Sequence, residues 1–108
     1  MSDFVAVCSA DRLLTGVGVA ALVQDQQIAI FRVRDGGLYG IANFDPFSQA
    51  NVLSRGLTGS LGGVPVVASP IYKQHFNLST GVCLEDASVV LPVYAVSERD
   101  GQIVVAVA

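Results

Sequence analysis

The sequence predicts an all-β fold, either an antiparallel β-sandwich or a small barrel. Short runs rich in Val and Ile recur about every eight to twelve residues, with turn residues between them, as expected for such folds. No stretch has the longer apolar period that predicts helices packed between strands. With 108 residues and 52% hydrophobic composition, the chain can form a core without a disulfide or a metal. We therefore expect one domain over residues 1–108.

Turn residues mark the ends of most predicted strands. Residues 24–27 connect two apolar runs as a hairpin, and the pairs Asp35-Gly36 and Asp100-Gly101 supply the positive φ angles that tight turns require. The predicted strands are residues 4–8, 17–23, 28–33, 38–42, 64–68, 74–77, 94–97 and 102–107.

Residues 43–63 form the longest segment without a strand pattern. We predict an irregular loop there, with at most one helical turn near residues 49–53. Loops of this length are uncommon in compact domains and usually serve a function, so this segment is a candidate site.

The charge distribution excludes several classes of partner. The net charge is −3 and the six Lys and Arg residues are scattered, so no basic face is available for nucleic acid or an anionic membrane. No apolar run approaches the roughly 18 residues of a membrane span, and no secretory signal pattern opens the chain. We predict a cytoplasmic protein. Because only 14% of residues are charged, against about 25% on average, we expect another protein to cover part of the surface.

Residues with catalytic or metal-binding chemistry are few and isolated. Cys8 and Cys83 lack the spacing of zinc and redox motifs, so we expect free thiols in the core. His75 is the single histidine and is more typical of a structural or surface position than of a ligand. Asp45 is a conceivable general base, but no histidine or nucleophile lies at motif spacing from it. We expect no catalytic residue and no metal ligand in this chain.

One segment resembles a known cofactor-binding loop. Residues 69–81 resemble the pattern Cys-Pro-x-His-x-x-x-Phe-x-Leu-x-Thr-Gly, which binds the iron–sulfur cluster of Rieske ferredoxins, at all its named positions except Cys and His. The matching residues are Pro70, Phe76, Leu78, Thr80 and Gly81. The resemblance implies a Rieske-like β-fold with the long predicted loop at the cluster tip.

The same resemblance places the four ligand positions of the family on Asn43, Asp45, Ser69 and Tyr72. A Rieske centre takes two Cys thiolates and two His nitrogens. The side chains present here offer hard oxygen or amide groups, which are poor ligands for sulfide-bridged iron. We therefore predict that no cluster binds and that this end of the fold is a former cluster tip.

Further segments extend the resemblance over residues 4–107. They are NFDPF at 43–47, VLSRGL at 52–57, SP at 69–70, KQHF at 73–76 and GVCLED at 81–86. Through these segments, the chain resembles the small subunits of cytoplasmic NAD(P)H-dependent assimilatory nitrite reductases. The resemblance implies a non-catalytic subunit without a cofactor of its own. Its partner would be a large subunit that carries flavin, an iron–sulfur cluster and sirohaem and reduces nitrite to ammonium in nitrate assimilation.

The replaced ligand positions are expected to hydrogen-bond one another across the space left by the cluster, with Tyr72 contributing its hydroxyl. Phe44, Phe47 and Tyr72 are expected to fill that space. A buried carboxylate such as Asp45 would be costly without hydrogen-bond partners, so we predict at least a structural staple between the two loops.

The tip is also the predicted docking face for the large subunit. Rieske proteins present this end to their partners, and aromatic residues and arginine are the usual energetic anchors of interfaces. The candidate docking residues are Phe44, Pro46, Phe47, Arg55, Tyr72 and His75.

Other interpretations are open at the level of sequence. The chain could be an iron–sulfur electron carrier with an unusual ligand set that includes Cys83 or His75. It could be a stand-alone protein-binding module outside nitrite metabolism. A hydrolase that uses Asp45 is the least supported, because no paired base or nucleophile is in register with it.

Overall fold

The structure is a computed structural model that describes residues 3–107; residues 1, 2 and 108 of the predicted domain lie outside the described residues. Two short 3-10 helices, Ala10–Arg12 and Leu53–Arg55, accompany the strands. The strands are β1 Asp3–Ser9, β2 Val19–Val23, β3 Gln26–Arg32, β4 Leu38–Ala42, β5 Phe44–Asp45, β6 Ala50–Asn51, β7 Leu57–Leu61, β8 Val64–Ala68, β9 His75–Asn77, β10 Val93–Tyr94, β11 Val96–Arg99 and β12 Gln102–Val107.

The strands form three layers with antiparallel pairing. The first sheet has the order β1-β12-β11, and the second has the order β10-β4-β3-β2. A third sheet, β7-β8-β9, packs on the other face of the second sheet. This arrangement confirms the predicted antiparallel all-β fold. Between residues 3 and 107, no helix has the length and apolar character needed to cross a membrane.

Strand β3 lies at the centre because apolar cores cover both of its faces. Ile28 and Ile30 contribute to the core shared with the first sheet, whereas Ala29 and Phe31 contribute to the core shared with the third. All four side chains are fully buried. The uninterrupted apolar run in the sequence therefore reflects burial on both faces of the strand.

Two of the predicted hairpins have tight two-residue turns. Gln24 and Asp25, between β2 and β3, have φ angles of 49° and 64°. Asp100 and Gly101, between β11 and β12, have φ angles of 53° and 77°. Positive φ at both central residues gives a turn whose twist matches that of the flanking strands. The remaining predicted turn is a longer loop over residues 33–37, between β3 and β4.

The prediction of an irregular segment over residues 43–63 is wrong in its second half. Leu57–Leu61 pairs with β8 along its whole length, and the turn between them uses Gly62 and Gly63. The strand sequence LTGSL has a weak intrinsic preference for strand, so pairing with β8 determines its structure. The predicted helical turn occurs slightly later than expected, at Leu53–Arg55.

The strand predicted at residues 94–97 is divided between two sheets. Val93–Tyr94 pairs with β4 in the second sheet, whereas Val96–Arg99 pairs with β12 in the first. The chain therefore crosses from one sheet to the other at Ala95, and this crossing closes the first two layers around their shared core.

Close backbone packing fixes the 3-10 helix Leu53–Arg55 between β2 and β8. A Cβ atom at Gly18 would collide with the Ser54 carbonyl oxygen, and a Cβ atom at Gly56 would collide with that of Ala68. Only glycine permits such an approach. The helix is thereby held beside the loops that contain the candidate ligand positions.

Candidate functional site

Two loops meet at one end of the second and third sheets, and we call them the tip. The first loop, residues 43–51, follows β4 and contains the small hairpin β5–β6. The second loop, residues 69–74, connects β8 to β9. Each loop carries two of the four positions that correspond to Rieske ligands.

A buried carboxylate joins the two loops. Asp45 is fully buried, and its Oδ2 accepts hydrogen bonds from Ser69 Oγ at 2.5 Å and from Ser48 Oγ at 2.9 Å. Its Oδ1 accepts a third hydrogen bond, from the Phe47 amide at 2.9 Å. A buried carboxylate is tolerated only when such donors replace water. The predicted bond between Asp45 and Ser69 is thus confirmed.

Asn43 holds the base of the tip instead of contacting Asp45. Its Oδ1 accepts a hydrogen bond from the Ser54 amide at 2.7 Å, and its Nδ2 donates to Gln27 Oε1 at 3.2 Å. Its backbone carbonyl accepts from the Leu53 amide at 3.1 Å. Asn43 therefore connects the first loop to β3 and to the 3-10 helix. The prediction that it bonds to the other ligand positions is wrong.

Tyr72 lies outside this network. The second loop is closed by hydrogen bonds from the Ser69 amide to the Gln74 carbonyl at 2.9 Å and from the Lys73 amide to the Ser69 carbonyl at 3.1 Å. Tyr72 stands at the far end of this loop, with 60% of its surface exposed. The expectation that its ring fills the cluster space and its hydroxyl joins the staple is therefore wrong, because the loop directs it to solvent.

Phe47 is the one aromatic residue of the expected three that packs inside the tip. Its ring centroid lies 6.3 Å from that of Phe76, and it contacts the core between the second and third sheets. Phe44 is 40% exposed, so the prediction that it fills the space left by the cluster is wrong. Pro46, which lies between Phe44 and Phe47 in the sequence, is partly buried. Phe47 therefore supports the core, and only part of its ring is available for docking.

A second staple fixes the edge of the tip. His75 Nδ1 lies 2.7 Å from Glu85 Oε2, and the His75 amide donates to Glu85 Oε1 at 2.7 Å. The Leu84 amide donates to the His75 carbonyl at 2.8 Å. The turn that contains Glu85 is thereby held against β9. His75 occupies a half-buried structural position, as the sequence indicated.

The pKa values of Glu85 and of the neighbouring Cys83 are shifted by their surroundings. Burial acts to raise the pKa of Glu85, but the hydrogen bonds from the His75 amide and ring outweigh it, and the net pKa is lowered. Burial raises the pKa of the Cys83 thiol, whose Sγ lies 3.7 Å from Glu85 Oε1. Cys83 is fully buried and unpaired, so it is a neutral core thiol and a poor nucleophile.

The outer face of the tip exposes apolar side chains from both loops and from the turn beside them. We call it the tip surface, and its members are Phe44, Ile71, Tyr72 and Leu84, each at least 40% exposed. Arg55, also exposed, ends the 3-10 helix that Asn43 holds. Exposed apolar patches are typical of protein-contact sites, so these residues are candidates for such a site.

Comparison with known proteins identifies the family. The family model described as Rieske-like [2Fe-2S] domain matches residues 3–106. A relative from Salmonella typhimurium, named nitrite reductase (NADH) small subunit, is 43% identical over 102 residues, covering 94% of each chain. This chain belongs to the nitrite reductase small-subunit family.

Two further matches agree with this assignment to the small-subunit family. The crystal structure of a Mycobacterium tuberculosis protein assigned as an NADH-dependent nitrite reductase small subunit has a TM-score of 0.95 and 43% identity, covering 100% of this chain and 97% of that one. A Klebsiella oxytoca protein named nitrite reductase [NAD(P)H] large subunit is 38% identical over 98 residues. That match covers 91% of the small subunit and 10% of the Klebsiella protein.

The tip of this small subunit does not fit a [2Fe–2S] cluster. Its four ligand positions hold amide, carboxylate and hydroxyl groups where a Rieske centre needs two thiolates and two imidazoles. The oxygens of Asn43, Asp45 and Ser69 already accept or donate hydrogen bonds that stabilise the fold. Within residues 3–107, no group of three or more His, Cys, Asp or Glu side chains is placed to hold a metal ion.

Several residues that hold the tip were not found from the sequence. Ser48 follows Asp45 by three positions, a spacing typical of turns in which side chains bond to one another and to the backbone, so a local signal was available. Ser54 and Glu85 offered no such signal. Their partners are 11 and 10 residues away, and only the fold brings them together.

Replacing Ser69 tests the staple between the two loops. We expect Ser69→Ala to lower the free energy of unfolding by about 1–3 kcal/mol, because the buried Asp45 carboxylate loses a donor that water cannot readily replace. Urea denaturation measures this difference. The matched variant Ser48→Ala removes the other hydroxyl on the same oxygen at a less buried position, and its effect should be smaller. Equal unfolding midpoints for wild type and Ser69→Ala would contradict the role assigned to Asp45.

Replacing Glu85 tests the second staple through pH. Because the folded pKa of Glu85 is lowered, its stabilising contribution is present above its usual value of 4.5 and is lost as pH falls through the folded value. Glu85→Gln should therefore be less stable than wild type near pH 7, and the difference should shrink as the pH is lowered through the folded pKa of Glu85. Urea midpoints measured over a series of pH values from 7 downward report this change. A pH-independent difference would count against the bonds to His75.

Proposed function

We propose that this chain is the non-catalytic small subunit of a cytoplasmic NAD(P)H-dependent nitrite reductase. In this proposal it docks on a large subunit that carries flavin, an iron–sulfur cluster and sirohaem, and the complex reduces nitrite to ammonium for nitrate assimilation. The observation that carries the proposal is the 43% identity, across 94% of both chains, with a nitrite reductase (NADH) small subunit.

A physical link to the large subunit is supported by the Klebsiella oxytoca relative. In that protein, which is named as a large subunit, a segment similar to this chain is part of one longer polypeptide. Segments joined in one chain are held at high effective concentration, which favours a shared interface. Such a fusion supports the association of the two partners where they are separate chains.

We assign the cofactors to the partner because the side chains of this chain that could bind one are buried or already form internal hydrogen bonds. The Asp45 carboxylate is used by three donors, and Cys83 is a buried neutral thiol. His75 is engaged by Glu85. These side chains support a role in binding a protein rather than in electron transfer, and residues 1–108 would act as one docking module.

We place the docking face at the tip surface. Phe44 and Tyr72 are its exposed aromatic residues and sit on different loops, which the Asp45–Ser69 bond holds together. Rigid aromatic side chains lose little conformational entropy when they bind, so they are effective anchors. The flanking candidates Pro46, Phe47, Arg55 and His75 would surround them.

Iron analysis tests the assignment of cofactors. We expect the purified chain, produced in cells that assemble iron–sulfur clusters, to be colourless and to contain no iron or acid-labile sulfide above background. The reason is the absence of thiolate and imidazole at the four ligand positions. Two irons and two sulfides per chain, with visible absorption, would instead support the electron-carrier interpretation.

Binding to the large subunit tests the docking face. We expect Tyr72→Ala to weaken the complex by about 2 kcal/mol, or about 30-fold in Kd, because an exposed aromatic anchor is lost. Isothermal titration measures Kd, and NADH-dependent nitrite reduction with and without the chain reports on function. Val90→Ala, at a residue 56% exposed outside the tip, is the matched control. Equal Kd values for wild type and Tyr72→Ala would place the docking face elsewhere.

A further inference from the structure

We infer that the free edge of β2 is a second contact for the large subunit and pairs with an extended segment of it. This inference rests on the proposed function, because it names a surface and a binding mode for the same partner. The observations behind it are a strand edge with which no other strand in residues 3–107 pairs, the outward backbone groups of that edge, and Arg55, which has no carboxylate partner among the described residues.

The backbone of β2 offers a free set of hydrogen-bonding groups. β2 is the last strand in its sheet, and within residues 3–107 its single partner strand is β3. Across a two-residue turn, the first pair of residues exchanges both hydrogen bonds and the next pair exchanges none. Val23, Ala21 and Val19 therefore bond to β3, whereas the N–H and C=O groups of Ala20 and Leu22 point away from the sheet. An approaching strand would find two donors and two acceptors in register.

The edge lacks the features that normally prevent pairing. Natural edge strands carry charges, prolines or bulges that block other strands. The sequence of Val19–Val23 is VAALV, with no charge and no proline, and its pairing with β3 is unbroken. Leu22 is 70% exposed, among the highest values for a large apolar side chain in residues 3–107. Such an edge is expected either to aggregate or to be covered by a partner.

Exposed apolar side chains flank this edge. Val17 immediately precedes β2 and is 56% exposed, and Leu57 at the start of β7 is 74% exposed. The two segments are neighbours, because Gly18 packs against the Ser54 carbonyl and Gly16 lies near Thr58. A strand laid along β2 would therefore find apolar contacts at its end as well as along its length.

A charged residue in the 3-10 helix that packs near the start of β2 indicates the chemistry of the segment. Arg55 ends the 3-10 helix that contacts β2, and it is exposed. The ion pairs within residues 3–107 are Arg32–Glu98 and His75–Glu85, so Arg55 has no carboxylate partner in the described chain. We therefore expect the bound segment to be apolar at alternate positions and to carry an Asp or Glu that reaches Arg55.

The edge is continuous with the tip. Leu22 lies directly opposite Gln27 on β3, and Gln27 bonds to Asn43 through both backbone and side chain. Residues opposite one another on neighbouring strands share a face of the sheet. Phe44 of the tip surface follows Asn43 in the chain. We therefore expect one partner to cover the tip surface and the β2 edge together, and the Klebsiella relative favours the large subunit as that partner.

Two substitutions and one control test the edge in the complex with the purified large subunit. Ala20→Pro removes an outward N–H group and leaves the bonds from Val19 and Ala21 to β3. Leu22→Lys places a charge on a side chain that is already 70% exposed. Each should raise Kd at least about tenfold. Val90→Lys, which adds the same charge at an exposed apolar position outside the β2 edge and the tip, should leave Kd unchanged.

Amide hydrogen exchange supplies a readout that does not depend on the variants. In the free chain the Ala20 and Leu22 amides should exchange quickly and the Ala21 amide slowly. Binding of the large subunit should protect Ala20 and Leu22. If the wild type binds but these amides stay unprotected and both variants bind normally, the edge inference fails while the proposed function stands.

Two other results would also overturn the inference. If the wild type does not bind the large subunit, the proposed function fails first and the edge inference fails with it. If the Ala20 and Leu22 amides become protected in the isolated chain as its concentration rises, the occupant is a second copy. Leu22→Lys keeps the test decisive should Ala20→Pro disturb folding, because circular dichroism of each variant separates misfolding from lost binding.

Discussion

The buried carboxylate of Asp45 is the interaction on which the tip depends. A charged group withdrawn from water must find equivalent donors, and Asp45 finds them in its own loop and in Ser69 of the other loop. The bond to Ser69 connects residues 24 positions apart in the sequence and so joins the two loops. The ligands of a Rieske centre are two Cys and two His residues; in this chain the corresponding positions Asp45 and Ser69 join the two loops by a hydrogen bond.

The residue types at the four ligand positions limit the chemistry of this end of the fold. Oxygen atoms committed to internal hydrogen bonds are poorly suited to bind soft, sulfide-bridged iron. The loops nonetheless keep a defined shape, and their outer side presents Phe44 and Tyr72 to solvent. Exposed apolar side chains of this kind are suited to protein contact. The assignment to the nitrite reductase small-subunit family is consistent with the proposal that the exposed residues contact a partner.

The success of the sequence predictions depended on whether the signal was local. Turns at Asp100-Gly101 and the strand at residues 38–42 follow from turn chemistry and apolar pattern, and both are present. Leu57–Leu61 was missed because its small residues show little strand preference and pairing with β8 determines its structure. Tyr72 was misplaced because the sequence aligns it with a ligand position, whereas the direction of a side chain in a loop is set by backbone bonds formed elsewhere.

The sequence by itself determined the antiparallel all-β class, the family resemblance and the chemical nature of the four ligand positions. Those properties depend on residue types and on the spacing of neighbours along the chain. Only the tertiary structure decided that Asp45 bonds to Ser69 and that Asn43 bonds to Ser54. It also decided that Glu85 bonds to His75, and that β2 lies at the edge of its sheet in the described chain. These depend on contacts between distant segments, whose geometry is established only when the layers pack.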